Sequence, residues 1–196
     1  MDGALDHYRG PNARAVDKVI DHVDHHCAAF IGLSPFATLA TADAAGSPDV
    51  SPRGGVPGFV RVLDPRTLLL PDREGNYRLD SLHNLQANPH AALMFFVPGI
   101  EETLRVYGRC RLVPTAEVDL DLVEFGRQPL SLLLMDVERA YFHCAKAVMR
   151  SRLWDPDARV ERSVFPPMGQ VWREHTAVDT PAQPDDEMRT ELTGEL

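Results

Sequence analysis

Between Thr103 and Val113 the sequence TLRVYGRCRLV repeats with a period of two. Leu104, Val106, Gly108, Cys110 and Leu112 fall on one side, and Arg105, Tyr107, Arg109 and Arg111 on the other. A helix cannot hold that pattern on one face. A strand with one side on a core and the other toward solvent or a partner can. Such a strand needs neighbours, and β-type runs supply them at Phe36–Thr41, Pro48–Arg53, Phe59–Leu63, Thr67–Leu70, Ala91–Val97 and Leu130–Val137. The turns between several of them are short, as at 44–47 and 64–66, which predicts hairpin order. Pro48 and Pro52 predict that their strand is irregular or ends early.

Helical spacing occurs elsewhere. Asn12 is an N-cap candidate for a stripe of about four turns through Val16, Val19, Ile20, Val23, Cys27 and Phe30, ended by Gly32. Leu79, Leu82 and Leu85 predict a short helix stopped by Asn88-Pro89. Pro114-Thr115 opens a predicted helix to about Phe125. Glu138–Ser151 also reads as helical, with Tyr141, Cys144 and Val148 on an apolar line and Arg139, His143, Lys146 and Arg150 opposite. That basic face fits an anionic ligand or plain solvation equally well. There is no regular β-α-β alternation, no GxGxxG and no GxxxxGK[ST], which argues against a Rossmann or P-loop layout. The pattern predicts six or seven antiparallel strands in a barrel with peripheral helices, since closure removes exposed edges.

The chain has 196 residues, enough for one domain with appendages, and a formal net charge of −9. Six acids (Asp179, Asp185, Asp186, Glu187, Glu191, Glu195) against Arg189 make the end strongly acidic. An acidic chain without a basic cluster is a poor nucleic-acid binder. No apolar run approaches the ~20 residues of a membrane span, and the N-terminus has no signal-peptide pattern. Cys27, Cys110 and Cys144 cannot all pair and match no zinc spacing, which fits a reduced, cytoplasmic compartment. His22 and His26 lie four apart, but without a third ligand they read as surface residues, and no metal is assigned.

The stretch LLLPDREGNYRLDSLHNLQANPHAALM (68–94) reads as strand, polar turn, short helix, strand. Its turn offers an Arg, an amide side chain and backbone N–H groups at a helix start, which suits an anion such as a phosphate. A solvated surface Arg would look the same in isolation. No Ser-His-Asp or Cys-His order stands out. His143 is the best general-acid candidate because a histidine can deliver protons near neutral pH, the competing reading being a structural or solvated side chain.

Three segments taken in order resemble the pyridoxamine 5′-phosphate oxidase-like, FMN-binding split-barrel family. They are FATLATADAAGSPDVSPRGG, LLLPDREGNYRLDSLHNLQANPHAALMFFVPG and TLRVYGRCRLVP. The later YFHCAKAVMRSRLW looks like a subgroup of FMN-dependent enzymes of unassigned substrate. The resemblance implies a six- to seven-stranded antiparallel split β-barrel and a homodimer with one FMN in each of two interface clefts. It implies Arg53 and Gly54 near the isoalloxazine or ribityl part, Pro71 and Asp72 flanking the flavin, and Asn76 and Arg78 on its phosphate. Thr103 stands where the oxidase has a flavin-contacting amide. His143, Lys146 and Arg150 are expected to reach the cleft from a partner subunit.

The expected function is FMN-dependent hydride or electron transfer with a small molecule or a reduced nicotinamide. The alternatives are a non-catalytic flavin or haem holder on the same barrel, or a deazaflavin-dependent reductase. Two departures count against pyridoxamine phosphate oxidation but not against flavin binding. Arg78 precedes Leu79-Asp80 where the oxidase has an Arg-Lys pair, and the Trp and Arg elements that grip pyridoxal phosphate have no counterpart. The expected organisation is a helical extension (1–33), a split-barrel flavin domain with a C-terminal helix and loop (34–177), and an acidic disordered tail (178–196).

Overall fold

The computed structural model describes residues 3, 6–7, 9–75, 77–176 and 183–195. Seven strands form one sheet in which every neighbouring pair is antiparallel: β1 (Phe36–Ala42), β2 (Pro48–Gly54), β3 (Arg61–Asp64), β4 (Thr67–Asp72), β5 (His90–Val97), β6 (Ile100–Val113) and β7 (Ser131–His143). Their order is β2-β1-β5-β6-β7-β4-β3. The ladder does not close, so β2 and β3 are edges. The sheet is nevertheless curled enough for side chains of β2 and β4 to meet across the gap. This is the split barrel expected, and helices cover what closure does not. Helix α2 (His25–Leu33) lies against β3 and β5, and α3 (Asp80–Ala87) against β1, β2 and β6.

The core explains the alternation of β6. Leu104, Val106 and Cys110 are buried with Leu39, Leu68, Leu93, Phe95 and Met135 in the main cluster. Leu112, expected inside, is exposed. Beyond Cys110 the opposite face is the covered one: Val113 joins Leu69, Leu122, Leu132 and Leu134 in a second, smaller core. Midway along β6 the register slips, with Tyr107 opposite Arg139 and Gly108 opposite Val137, so Glu138 is extruded as a bulge. A Cβ at Gly108 would come 2.1 Å from the Asp136 carbonyl oxygen, so only glycine fits this bend.

Four expectations about strands and helices between Asn12 and Ser151 are corrected. The long N-terminal helix is two pieces, α1 (Ala13–Asp17) and α2. Asn12 does cap α1, accepting from the Ala15 N–H at 2.9 Å. The chain then straightens so that Ile20 bridges to Ala140, and Asp24 starts α2 by accepting from the Cys27 N–H. His22 therefore lies off the helix that carries His26. Strand β2 is regular along its whole length, pairing from Phe36–Gly54 to Ala42–Pro48. As an edge strand it tolerates prolines whose missing N–H would face away from the ladder. The 114–125 segment makes only one 3₁₀ turn, Thr115–Glu117, because Val118 and Leu122 are drawn onto the second core.

The fourth correction bears on function. Residues 138–143 are strand, not helix; β7 runs to His143, and α4 starts only at Lys146 (Lys146–Ser151). The basic stripe thus divides, Arg139 and His143 on a strand and Lys146 and Arg150 on a helix. Cys144, read as core-facing, is exposed. Two further helices follow, α5 (Met168–Thr176) and α6 (Asp185–Glu195). Helix α6 occupies a segment whose composition predicts disorder. It buries Met188, and Arg162 holds its first residue, Asp185, at 2.9 Å.

Candidate functional site

Where the edges of the split approach each other, β2, β4, the 73–79 loop and the start of α3 enclose a cavity of about 520 Å³. That is within the usual size of small-molecule pockets. Strand periodicity aims Asp49, Ser51 and Arg53 of β2 at one side. The Arg53 guanidinium crosses the split to donate to Asp72 Oδ1 at 2.5 Å and touches Ser51 Oγ at 3.2 Å through Nε. Ser51 Oγ is 3.1 Å from Ser81 Oγ, which donates to Asp49 Oδ2 at 2.8 Å. A continuous polar chain therefore joins β4, β2 and α3 along one wall.

The opposite rim is built by arginines. Arg73 donates to the Leu122 and Arg127 carbonyls at 2.8 and 3.2 Å. Its Nη2 lies 3.5 Å from Glu124 Oε2, a buried oxygen that no hydrogen bond reaches. A Cβ at Gly55 would fall 2.7 Å from that oxygen, which accounts for the glycine. Arg127 in turn binds Glu74 at 3.4 Å and the Glu195 and Gly194 carbonyls at 2.9 Å, holding the end of α6 beside the rim.

Arg78 sits between two residues in the left-handed region, Tyr77 at φ 54° and Leu79 at φ 58°. Neither is glycine, so each conformation costs about 1 kcal/mol and is held by its surroundings. The turn presents Arg78 at the start of α3, where no side chain caps the first turn. Asp80 Oδ2 accepts from Arg78 Nε at 2.7 Å.

Of the sequence-derived cofactor residues, Arg53, Gly54, Pro71, Asp72 and Arg78 all line this cavity. Asn76 lies outside the described residues. Thr103, His143, Lys146 and Arg150 are not part of it. Thr103 is buried on β6 opposite His143 on β7, and Lys146 and Arg150 are exposed on α4. Within one chain, then, His143, the expected acid, and Arg78, the expected phosphate holder, do not meet. The residues missed were Ser51, Ser81, Asp49 and Arg73. The period-two run Asp49-Ser51-Arg53 was a usable signal, whereas the contact of Ser81 with β2 depends on how α3 docks.

The cavity suits an anionic small molecule. Three guanidiniums surround it, a helix start opens into it, and Gly54 and Pro71 contribute backbone-rich, weakly polar wall. Each guanidinium also has a carboxylate partner, Asp72, Glu124 or Asp80. A bound phosphate would therefore share arginines with these carboxylates.

The Pyridoxamine 5′-phosphate oxidase family model matches residues 23–144. The chain belongs to this family. It is 40% identical over 84 residues to a pyridoxine/pyridoxamine 5′-phosphate oxidase of Anaeromyxobacter dehalogenans, a match covering 42% of the chain and 38% of that relative's length. Among solved structures, HupZ of Group A Streptococcus is similar at 18% identity and TM-score 0.46, covering 61% of this chain and 93% of that one. A Clostridium acetobutylicum protein of the pyridoxinephosphate oxidase family, related to general stress protein 26, gives 13% identity and TM-score 0.44, covering 59% of this chain and 83% of that one.

Proposed function

We propose that this chain is an FMN-dependent oxidoreductase that transfers a hydride or electrons between a small molecule, or a reduced nicotinamide, and FMN held in the split. The observation that carries the reading is the convergence of Arg53, Gly54, Pro71, Asp72 and Arg78 on one cavity in a member of this family. Arg78 and the start of α3 would hold the phosphate, since an Arg keeps its charge and forks onto two oxygens. Asp72 orients Arg53, whose remaining donors would face the polar edge of the ring. FMN, when bound, supplies the redox chemistry, and the protein positions it and sets the local charge. His143, Lys146 and Arg150 could join this pocket only from a second copy, so the reading includes a homodimer.

The absorption spectrum of the purified protein tests it. A flavin band that persists through gel filtration, at a dimer's elution volume, is expected. A Soret band, or a colourless monomer indifferent to added FMN, rejects the assignment. Arg78→Ala should release FMN, and anaerobic bleaching by reduced nicotinamide with recovery in air would mark an enzyme rather than a holder.

A further inference from the structure

One wall of the split carries a hydrogen-bond chain whose direction is set by its chemistry. Ser81 Oγ donates to Asp49 Oδ2 at 2.8 Å, which uses the one proton a hydroxyl has. Across the 3.1 Å contact between the two hydroxyls, Ser51 is therefore the donor and Ser81 the acceptor. Ser51 Oγ in turn accepts from Arg53 Nε at 3.2 Å. Every proton along the chain points away from Arg53 and toward the Asp49 carboxylate, and neither hydroxyl keeps a proton for a ligand. The parts are held from two sides. Asp49, Ser51 and Arg53 share one face of β2 through strand alternation. Ser81, 4% exposed, is fixed by the docking of α3, whose Asn84 donates to Thr41 Oγ1 on β1 at 3.1 Å. On its other side Arg53 donates from Nη1 to Asp72 Oδ1 at 2.5 Å.

We propose that Asp49, Ser81 and Ser51 are positioning residues for Arg53, a relay that sets how its guanidinium meets the polar edge of a bound flavin ring. The inference rests on the reading of the split as an FMN pocket. A second carboxylate placed directly on Arg53 would cancel charge that Asp72 already offsets. Two intervening hydroxyls pass on the direction of the hold with less of the opposing charge, because Coulomb attraction falls with distance and hydrogen bonds in a chain reinforce one another. Arg53 is thereby gripped at Nε from β2 and α3 and at Nη1 from β4. Its plane is set, and its other N–H groups are left to a ligand. A guanidinium fixed in this way favours the flavin form that carries more negative charge at that edge, which is the reduced one.

The midpoint potential of bound FMN, measured by dye equilibration, tests the relay. Serine substitutions leave in place the Asp49 charge, which Arg78 also feels. Ser51→Ala and Ser81→Ala should therefore keep FMN bound while weakening the hold on reduced relative to oxidised FMN about fivefold, read as a lower potential. Ser51→Thr restores a hydroxyl on a strand, where β-branched side chains fit, and should return the parent's value. If Ser81→Ala does not fold, the two Ser51 variants decide. A parent-like potential in the alanine variants, or a Ser51→Thr displaced as far as Ser51→Ala, overturns the proposal. The flavin-free chain gives a second readout by NMR. There the Arg53 Nε–H resonance should shift and exchange faster with water in Ser81→Ala, acting through Ser51. An unaltered resonance in Ser51→Ala and Ser81→Ala overturns the relay even if FMN binds. An altered resonance in a chain that ignores added FMN supports the relay and rejects the flavin reading of the pocket.

Discussion

The split and the outer face of β6–β7 both concentrate arginine, but they use it in opposite ways. At the split, Arg53 is held by Asp72, Arg73 by Glu124 and Arg78 by Asp80. On the outer face Arg139 and Lys18 lie against the Tyr107 and Tyr141 rings, Arg105 sits beside their hydroxyls, and none has a carboxylate partner among the described residues. Paired arginines define a shape at the expense of electrostatic pull. Arginines on aromatic rings keep most of their field. The same residue type therefore builds a positioned pocket in one place and a ring-backed patch in the other.

Asp72→Ala should break that contrast most forcefully. Asp72 is 7% exposed, and its loss leaves Arg53, largely buried, without a counter-charge. A loss of about 3 kcal/mol in urea denaturation is expected. Next is Gly108→Ala, whose Cβ would meet the Asp136 carbonyl at 2.1 Å. It should cost about 2 kcal/mol and loosen the Tyr107–Tyr141 stack, visible in near-ultraviolet circular dichroism. Arg139→Gln removes one cation–π contact and should cost about 0.5 kcal/mol. Equal losses for Asp72→Ala and Arg139→Gln would abolish the distinction.

The smallest effect concerns pH. Burial first, then the fields of Arg105 and Lys18, hold His143 below the ordinary histidine value. The unfolded chain therefore binds more protons than the folded one between the folded value and about 6.5, and stability rises with pH across that interval. Below the folded value the loss is complete. The urea midpoint of the parent should fall more than that of His143→Gln as pH is lowered through this window. Identical profiles would show that His143 is not held below its ordinary value.

Much of the barrel was legible, and the reason is local. Strand β6 shows its faces in its own letters, and Asn12 signals a helix start by its own side chain. What failed depended on distant partners. Tyr141, Cys144 and Val148 have helical spacing, but Leu104 and Arg105 pair with Phe142 and Tyr141 and keep that segment extended. Ile20 belongs to a helical stripe until Ala140 claims its backbone. At the split, Arg53, Pro71, Asp72 and Arg78 came from family resemblance. The Ser81–Asp49 link was invisible because a hydroxyl 32 positions away carries no periodic mark. The spacing of Arg139, His143, Lys146 and Arg150 mimics one helical face, and nothing in that spacing links Arg105 or Tyr107 to His143.

Arg127 gives the C-terminal helix an unexpected neighbour. One guanidinium grasps Glu74, which lines the cavity, together with the carbonyls of Gly194 and Glu195. Anything that tugs on that last helical turn, such as a fused purification tag, would be felt at the mouth of the cleft.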